Sequence, residues 1–230
     1  MIHHLNPAGN WTDPLTAIGT LAAVFAAIFF FFYERIKNYL NRPILKLGIN
    51  FYPPECHKTT GSFNNKFANA FWFRLYVTNK GKSNAQNLEV LIEKVDKKTG
   101  DKWITNSAFL PSNLKWTHID VPLLMNLQPG TTKNVDFGYI YDPIVSVSNA
   151  TNNNLPSENN KIDIVFNVSI SVIPFTNYHV LQPGEYLFYL IVGASNCKAR
   201  REVFRVRFSK EWQENETKML TETIRIDKYK

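Results

Sequence analysis

One stretch constrains everything else in this chain. Leu15 to Tyr33 is a run of nineteen residues drawn from Leu, Ala, Ile, Val, Phe, Gly, Thr and Tyr without a single charge. As an α-helix rising about 1.5 Å per residue it is about 28 Å long, close to the roughly 30 Å hydrocarbon thickness of a bilayer. A cleaved secretory signal would open with Lys or Arg and close its apolar core on small residues. Here no Lys or Arg precedes the stretch, and four Phe and a Tyr end it. A buried core helix is the remaining alternative. Trp11 on one side, with Tyr33 and Tyr39 on the other, stand where interfacial aromatics lie at headgroup level, and the stretch reads as a single membrane span.

The flanks set its direction. Ahead of the span lie Asp13, His3, His4 and the free amine; just beyond it come Arg35, Lys37, Arg42 and Lys46 against a lone Glu34. Positive flanks stay inside, so a short N-terminal segment (residues 1–14) is expected outside, and the bulk of the chain in the cytoplasm of a cell with this protein in its inner, or plasma, membrane. The same four cations are expected to lie against anionic lipid headgroups, each contributing about 1 kcal/mol. Within the span, Gly19, Ala23 and Ala27 recur every four residues beside Thr16 and Thr20. A face of such small side chains lets a second helix approach closely, so Gly19, Ala23 and Ala27 are the candidate helix–helix contact; small residues are also simply common in membrane helices.

Residues 34–42 are expected to carry the helix out of the bilayer until Pro43 biases Arg42 away from helical angles. The remaining chain suits one domain, placed at residues 43–210, with a helical or loose segment at 211–230. The whole chain's formal net charge of +7 invites a nucleic-acid reading. The cations are scattered, however, and Arg205 and Arg207 alternate with Phe204, Val206 and Phe208 as a solvated sheet face would. Lys198, Arg200 and Arg201 are placed in a loop between strands. No nucleic-acid module accompanies either cluster, which argues against that partner. Cys56 and Cys197, both assigned to loops, are too few for a disulfide framework and are expected as reduced thiols in a cytoplasmic domain.

Period-two alternation dominates from Pro43 onward. Leu45, Leu47, Ile49 and Phe51 mark a first strand, followed by a loop from Pro53 to about Lys66. Phe71, Phe73, Leu75 and Val77 face one way and Trp72, Arg74 and Tyr76 the other. Asn79-Lys80-Gly81-Lys82 is a turn signal, and Leu88, Val90 and Ile92 open a hairpin that turns at Thr99-Gly100-Asp101 and returns at Trp103 and Ile104. Asn126-Leu-Gln-Pro-Gly130 and Val180-Leu-Gln-Pro-Gly184 are repeated corners, each ahead of a strand, whose Leu can pack beneath the fold. The second strand so introduced, Tyr186 to Val192, is apolar on both faces. That predicts the middle of a sheet with something covering its outer side, the C-terminal segment or a partner. Ser146 to Lys161 is a polar, Asn-rich loop; Ile162, Ile164, Phe166, Val168, Ile170 and Val172 share one strand face; Lys210 to Thr217 is a short helix with Trp212 as a packing plug, and Ile224 to Lys230 is loose or an edge strand.

The phrase Val77-Thr-Asn-Lys-Gly-Lys-Ser-Asn-Ala85-Gln-Asn-Leu88-Glu-Val90 resembles the strand, Asn-x-Gly turn and following strand of immunoglobulin-like prokaryotic sandwich domains. Arg42-Pro43 just after the span, Phe109-Leu110-Pro111 leading to Leu114-Lys115-Trp116, and the late Leu-x-Pro-Gly corner extend the likeness. Together they resemble uncharacterised prokaryotic single-pass membrane proteins with a cytoplasmic immunoglobulin-like β-sandwich. The fold expected is therefore mainly β, one N-terminal transmembrane helix followed by an antiparallel sandwich. The resemblance implies no activity and no functional residue.

Chemistry is sparse. Cys56-His57 stands without a second ligand pair, and neither His118 nor His179 has the spacing of a metal motif. Phosphate-cradling loops and nucleophile elbows are absent from the sequence. The expectation is a protein with no cofactor, metal or catalytic residue: an anchored binding or adaptor module holding a protein partner at the membrane. The alternative is an oligomerising membrane effector or sensor of a bacterial system, antiviral systems included, and after it an enzyme component.

Overall fold

The computed structural model describes residues 12–63, 66–119, 121–143, 163–173 and 176–229. The N-terminal flank with Trp11, His3 and His4, the Asn-rich stretch 146–161 and Ile162 lie outside them. The chain divides after Asn41 into two units.

The first unit is helix α1, Thr12–Asn41. Its stretch Pro14–Asn41 is long and apolar enough to cross a membrane, with a mean hydropathy of 2.3 in its apolar window and none of that window buried against protein. The helix stops at Asn41, two residues ahead of Pro43, where the ring forbids helical geometry in the residue before it. The apolar side chains of α1 therefore face outward all round, which suits lipid and not water.

The second unit is two antiparallel sheets packed face to face. The first runs in the order β1 (Leu45–Gly48), β3 (Lys66–Asn79), β9 (Thr132–Tyr141), β10 (Phe166–Val168), β11 (Val180–Leu181). β2 (Cys56–Phe63) continues the edge begun by β1 along β3, and β7 (Lys115–Trp116) adds to β9. The second sheet runs β14 (Ile224–Lys228), β13 (Cys197–Phe208), β12 (Gly184–Ala194), β4 (Ala85–Thr99), β5 (Lys102–Thr105), with β6 (Ser112–Asn113) and β8 (Leu124–Leu127) also on β4. Alternation fills the space between. Phe71, Phe73, Leu75 and Val77 from one sheet meet Val90, Ile92, Phe188, Leu190, Phe204 and Val206 from the other, all fully buried. Phe166 stands at the centre, its ring 5.8 Å from Phe73, 5.7 Å from Phe137 and 6.0 Å from Phe208.

The two Leu-Gln-Pro-Gly corners behave as their residues require. Leu127 and Leu181 are buried, and Gly130 takes a φ of +73° that a side chain would disfavour. The tight hairpin at Thr99-Gly100-Asp101 joins β4 to β5. β12 lies in the middle of its sheet, and its outer face meets neighbouring side chains and the C-terminal segment, whose Tyr229 ring lies 6.4 Å from that of Trp103. The Lys94 ammonium sits 4.0 Å above the Tyr189 ring and 3.1 Å from Asp96.

Several expectations are corrected. β1 ends at Gly48, and Ile49 and Phe51 only pack against the core from outside the strand. The supposed loop 53–66 contains β2, which puts Cys56 in the core. Its polar run His-Lys-Thr-Thr-Gly-Ser hides a strand because β2 is paired on one side only. Lys198, Arg200 and Arg201 belong to β13 and not to a loop. The strand at 164–172 is short: Ile164, Phe166, Val168 and Ile170 are buried, whereas Val172 is exposed. Residues 210–215 are not helical; a turn of helix α2 (Glu216–Lys218) and a π-helical turn (Met219–Thr223) follow, and β14 then closes the sheet edge. Trp212 packs edge-on at 5.2 Å from Phe71.

Candidate functional site

Three surfaces carry chemistry that the fold does not need. The first is α1. Gly19, Ala23 and Ala27 are exposed along it, and the space beside Gly19 is open. Thr20 turns its hydroxyl back to the Thr16 carbonyl at 2.8 Å, so that polar group is satisfied within the helix. Near its end the Arg35 guanidinium lies 4.7 Å over the Phe31 ring and Lys37 reaches Glu34 at 3.7 Å.

The second surface begins at Arg42. Asn79 builds it: its buried amide accepts from Ile44 N at 3.3 Å and Gly81 N at 2.9 Å, and donates to Ser83 O at 2.8 Å and Leu127 O at 3.0 Å. This ties the residues after Pro43 to the β3–β4 turn and to the end of β8. Gly81 must be glycine there, since a Cβ would collide with the backbone of Arg42, Pro43 and Ile44. The turn between β12 and β13 joins the same end through Ser195 N to Gln86 O at 2.8 Å. Arg200 spans the two sheets by donating to Leu45 O at 3.2 Å. A cavity of about 680 Å³ opens here, lined by Arg42, Ile44, Lys198, Arg200, Arg201 and Glu202. Of the four residues expected to touch lipid, the structure puts Arg42 in this cavity and Lys46 exposed on β1, while Arg35 and Lys37 are on α1. Arg201 points to the opposite face and pairs with Glu93 at 2.7 Å.

The third surface is apolar. Leu110, Val172 and Ile173 are 60%, 75% and 70% exposed. Leu110 and Val172 line a hollow of about 430 Å³ with Leu91, Pro111 and Tyr178. A second exposed row, Ile119, Val121, Leu123 and Met125, leads into β8. Sequence reasoning missed the hollow because it put Val172 on a buried strand face. The alternation itself carried no signal for this, since Ser169 and Ser171 stand on the other face of the run and leave its apolar period intact.

The candidate reactive groups are dispersed. Cys56 faces the core while its neighbour His57 alternates to the outer side of β2, so the pair diverges. Burial pushes the Cys56 thiol up to about 12, which keeps it protonated and unreactive. His118 is exposed in a turn, and His179 is buried ahead of β11, with desolvation holding its imidazole below the ordinary value. Among the described residues no three His, Cys, Asp or Glu side chains gather as metal ligands. No protein-family model matches the chain, and no curated protein matches it.

Proposed function

We propose that this chain is a membrane-anchored, non-enzymatic binding module. α1 holds it in the inner membrane with the N-terminus outside, and the sandwich presents a docking surface to a protein partner in the cytoplasm. The observation that carries the reading is the hollow around Leu110 and Val172. Large aliphatic side chains left in water beside a well-filled core cost solvation free energy, and contiguous patches of this kind mark interaction sites. The positive flank after the span supports the orientation.

Crosslinking of the full-length protein in its native membrane, followed by mass spectrometry, tests this reading. A reproducible partner that is lost in Leu110→Asp and Val172→Asp proteins, with thermal unfolding unchanged, supports it. Partner recovery unaffected by both substitutions removes the hollow from the account. A second reading has its own support in the open face of Gly19, Ala23 and Ala27. Crosslinked products containing only this chain, and depending on that face, favour the oligomerising membrane effector.

A further inference from the structure

The excess charge of this chain is gathered at one end of the sandwich. Three segments distant in sequence meet there: 42–48, 79–88 and 194–200. Lys80 N donates to Ile44 O at 2.7 Å, and Ser195 N donates to Gln86 O at 2.8 Å. Asn196 Nδ2 reaches Asn84 O at 2.8 Å, and Arg200 reaches Leu45 O at 3.2 Å. These segments carry Arg42, Lys46, Lys80, Lys82, Lys198 and Arg200 and contain no Asp or Glu at all, so they hold nearly the whole of the net +7. Five of the six are exposed, and Arg42 is half-buried in the cavity beside Lys198 and Arg200. Lys198, Arg200 and Glu202 share the strand face of Phe204 and Val206, and Glu202, which also lines the cavity, is paired with Lys228 of β14, so beyond that ion pair the inner face of β13 turns basic where the sandwich opens.

We propose that this basic end lies on the anionic headgroups of the leaflet from which α1 emerges, with a lipid phosphate in the cavity between β1 and the first half of β13. The inference rests on α1 being a span. Arg42 is the residue after the last helical one, and the eight helical residues that follow Tyr33 rise about 12 Å, so covalent connection keeps this end close to the headgroup layer. Guanidinium and ammonium groups meet phosphate with charge-assisted hydrogen bonds, and the Arg200 fork has donors beyond the one given to Leu45 O. Each cation near an anionic surface contributes about 1 kcal/mol, about fivefold in the equilibrium, within a Debye length of about 8 Å.

The test uses the full chain in nanodiscs of phosphatidylcholine alone or mixed with phosphatidylglycerol, read by amide hydrogen exchange. The turns at 80–84 and 195–198 are expected to exchange at least about fivefold more slowly in the anionic discs. High salt and the triple change Lys80→Glu, Lys82→Glu, Lys198→Glu should abolish the difference, with β12 amides unchanged as the check on folding. Equal exchange in both discs, with α1 protected, overturns the proposal and leaves the span standing. An unprotected α1 overturns both. Slowing by inorganic phosphate in neutral discs, as large as that in anionic discs, reassigns the site to a free anion and removes the lipid.

Discussion

Asn79 illustrates how one side chain converts a turn signal into tertiary structure. The Asn79 side chain is fully buried, its bond to Leu127 O is buried and its other three are part-buried, so Asn79→Ala leaves the Ile44 and Gly81 N–H groups and two carbonyls without their partner. The expected loss is about 3 kcal/mol, seen as a lower denaturant midpoint with an unchanged slope. Phe166 is the corresponding apolar position. Its truncation to Ala empties the centre of a ring cluster drawn from both sheets and is expected to cost about 4 kcal/mol in the same experiment. His179 gives a pH dependence. Because burial lowers its folded pKa, the unfolded chain binds the proton more readily as pH falls past the ordinary value of about 6.5. Its contribution is intact above that value and is lost as pH falls toward the folded pKa. Urea unfolding at about pH 7 and about pH 5 should show this drop, and His179→Asn should reduce it.

Elements were legible in the sequence in proportion to how strongly their environment separates two faces. β3, β4, β9 and β13 alternate because one side meets the core, but the period of two changes phase at bulges in β4, between Ile92 and Val95, and in β9, between Phe137 and Ile140. β2 escaped because an edge strand with a polar outer face needs few apolar residues, and the helix placed at 210–217 failed because Trp212 packs on Phe71 from an extended segment. For α1 the pattern concerns partners. Gly19→Leu with Ala23→Leu should weaken any self-association in a membrane two-hybrid assay without expelling the helix from the bilayer, since leucine raises its hydropathy. Association at wild-type strength would dismiss the small-residue face as a contact.

At the scale of the whole molecule the prediction concerns sidedness. Cys197 is partly exposed and Cys56 is sealed in the core, so a membrane-impermeant maleimide should label Cys197 only after the inner membrane is opened. Cys56 should react only on unfolding, because its thiol is both covered and held protonated. Labelling of Cys197 with just the outer membrane breached would place the domain on the opposite side. Lysed cells provide the positive control for each arm.

A helix long and apolar enough to cross a bilayer, and its boundary, follow from the sequence alone, because length and hydrophobicity are additive along the chain and Pro43 ends a helix by local sterics. The all-β character does too, since strand periodicity is local. The pairing of strands into two sheets, the crossing of residues 112–116 from β4 to β9 and the gathering of six cations at one end were decided only by tertiary contacts. Charges and apolar tips on separate segments have no sequence signature of their meeting. They come together because burying the alternating faces of two sheets forces the connecting turns to the same ends of the sandwich.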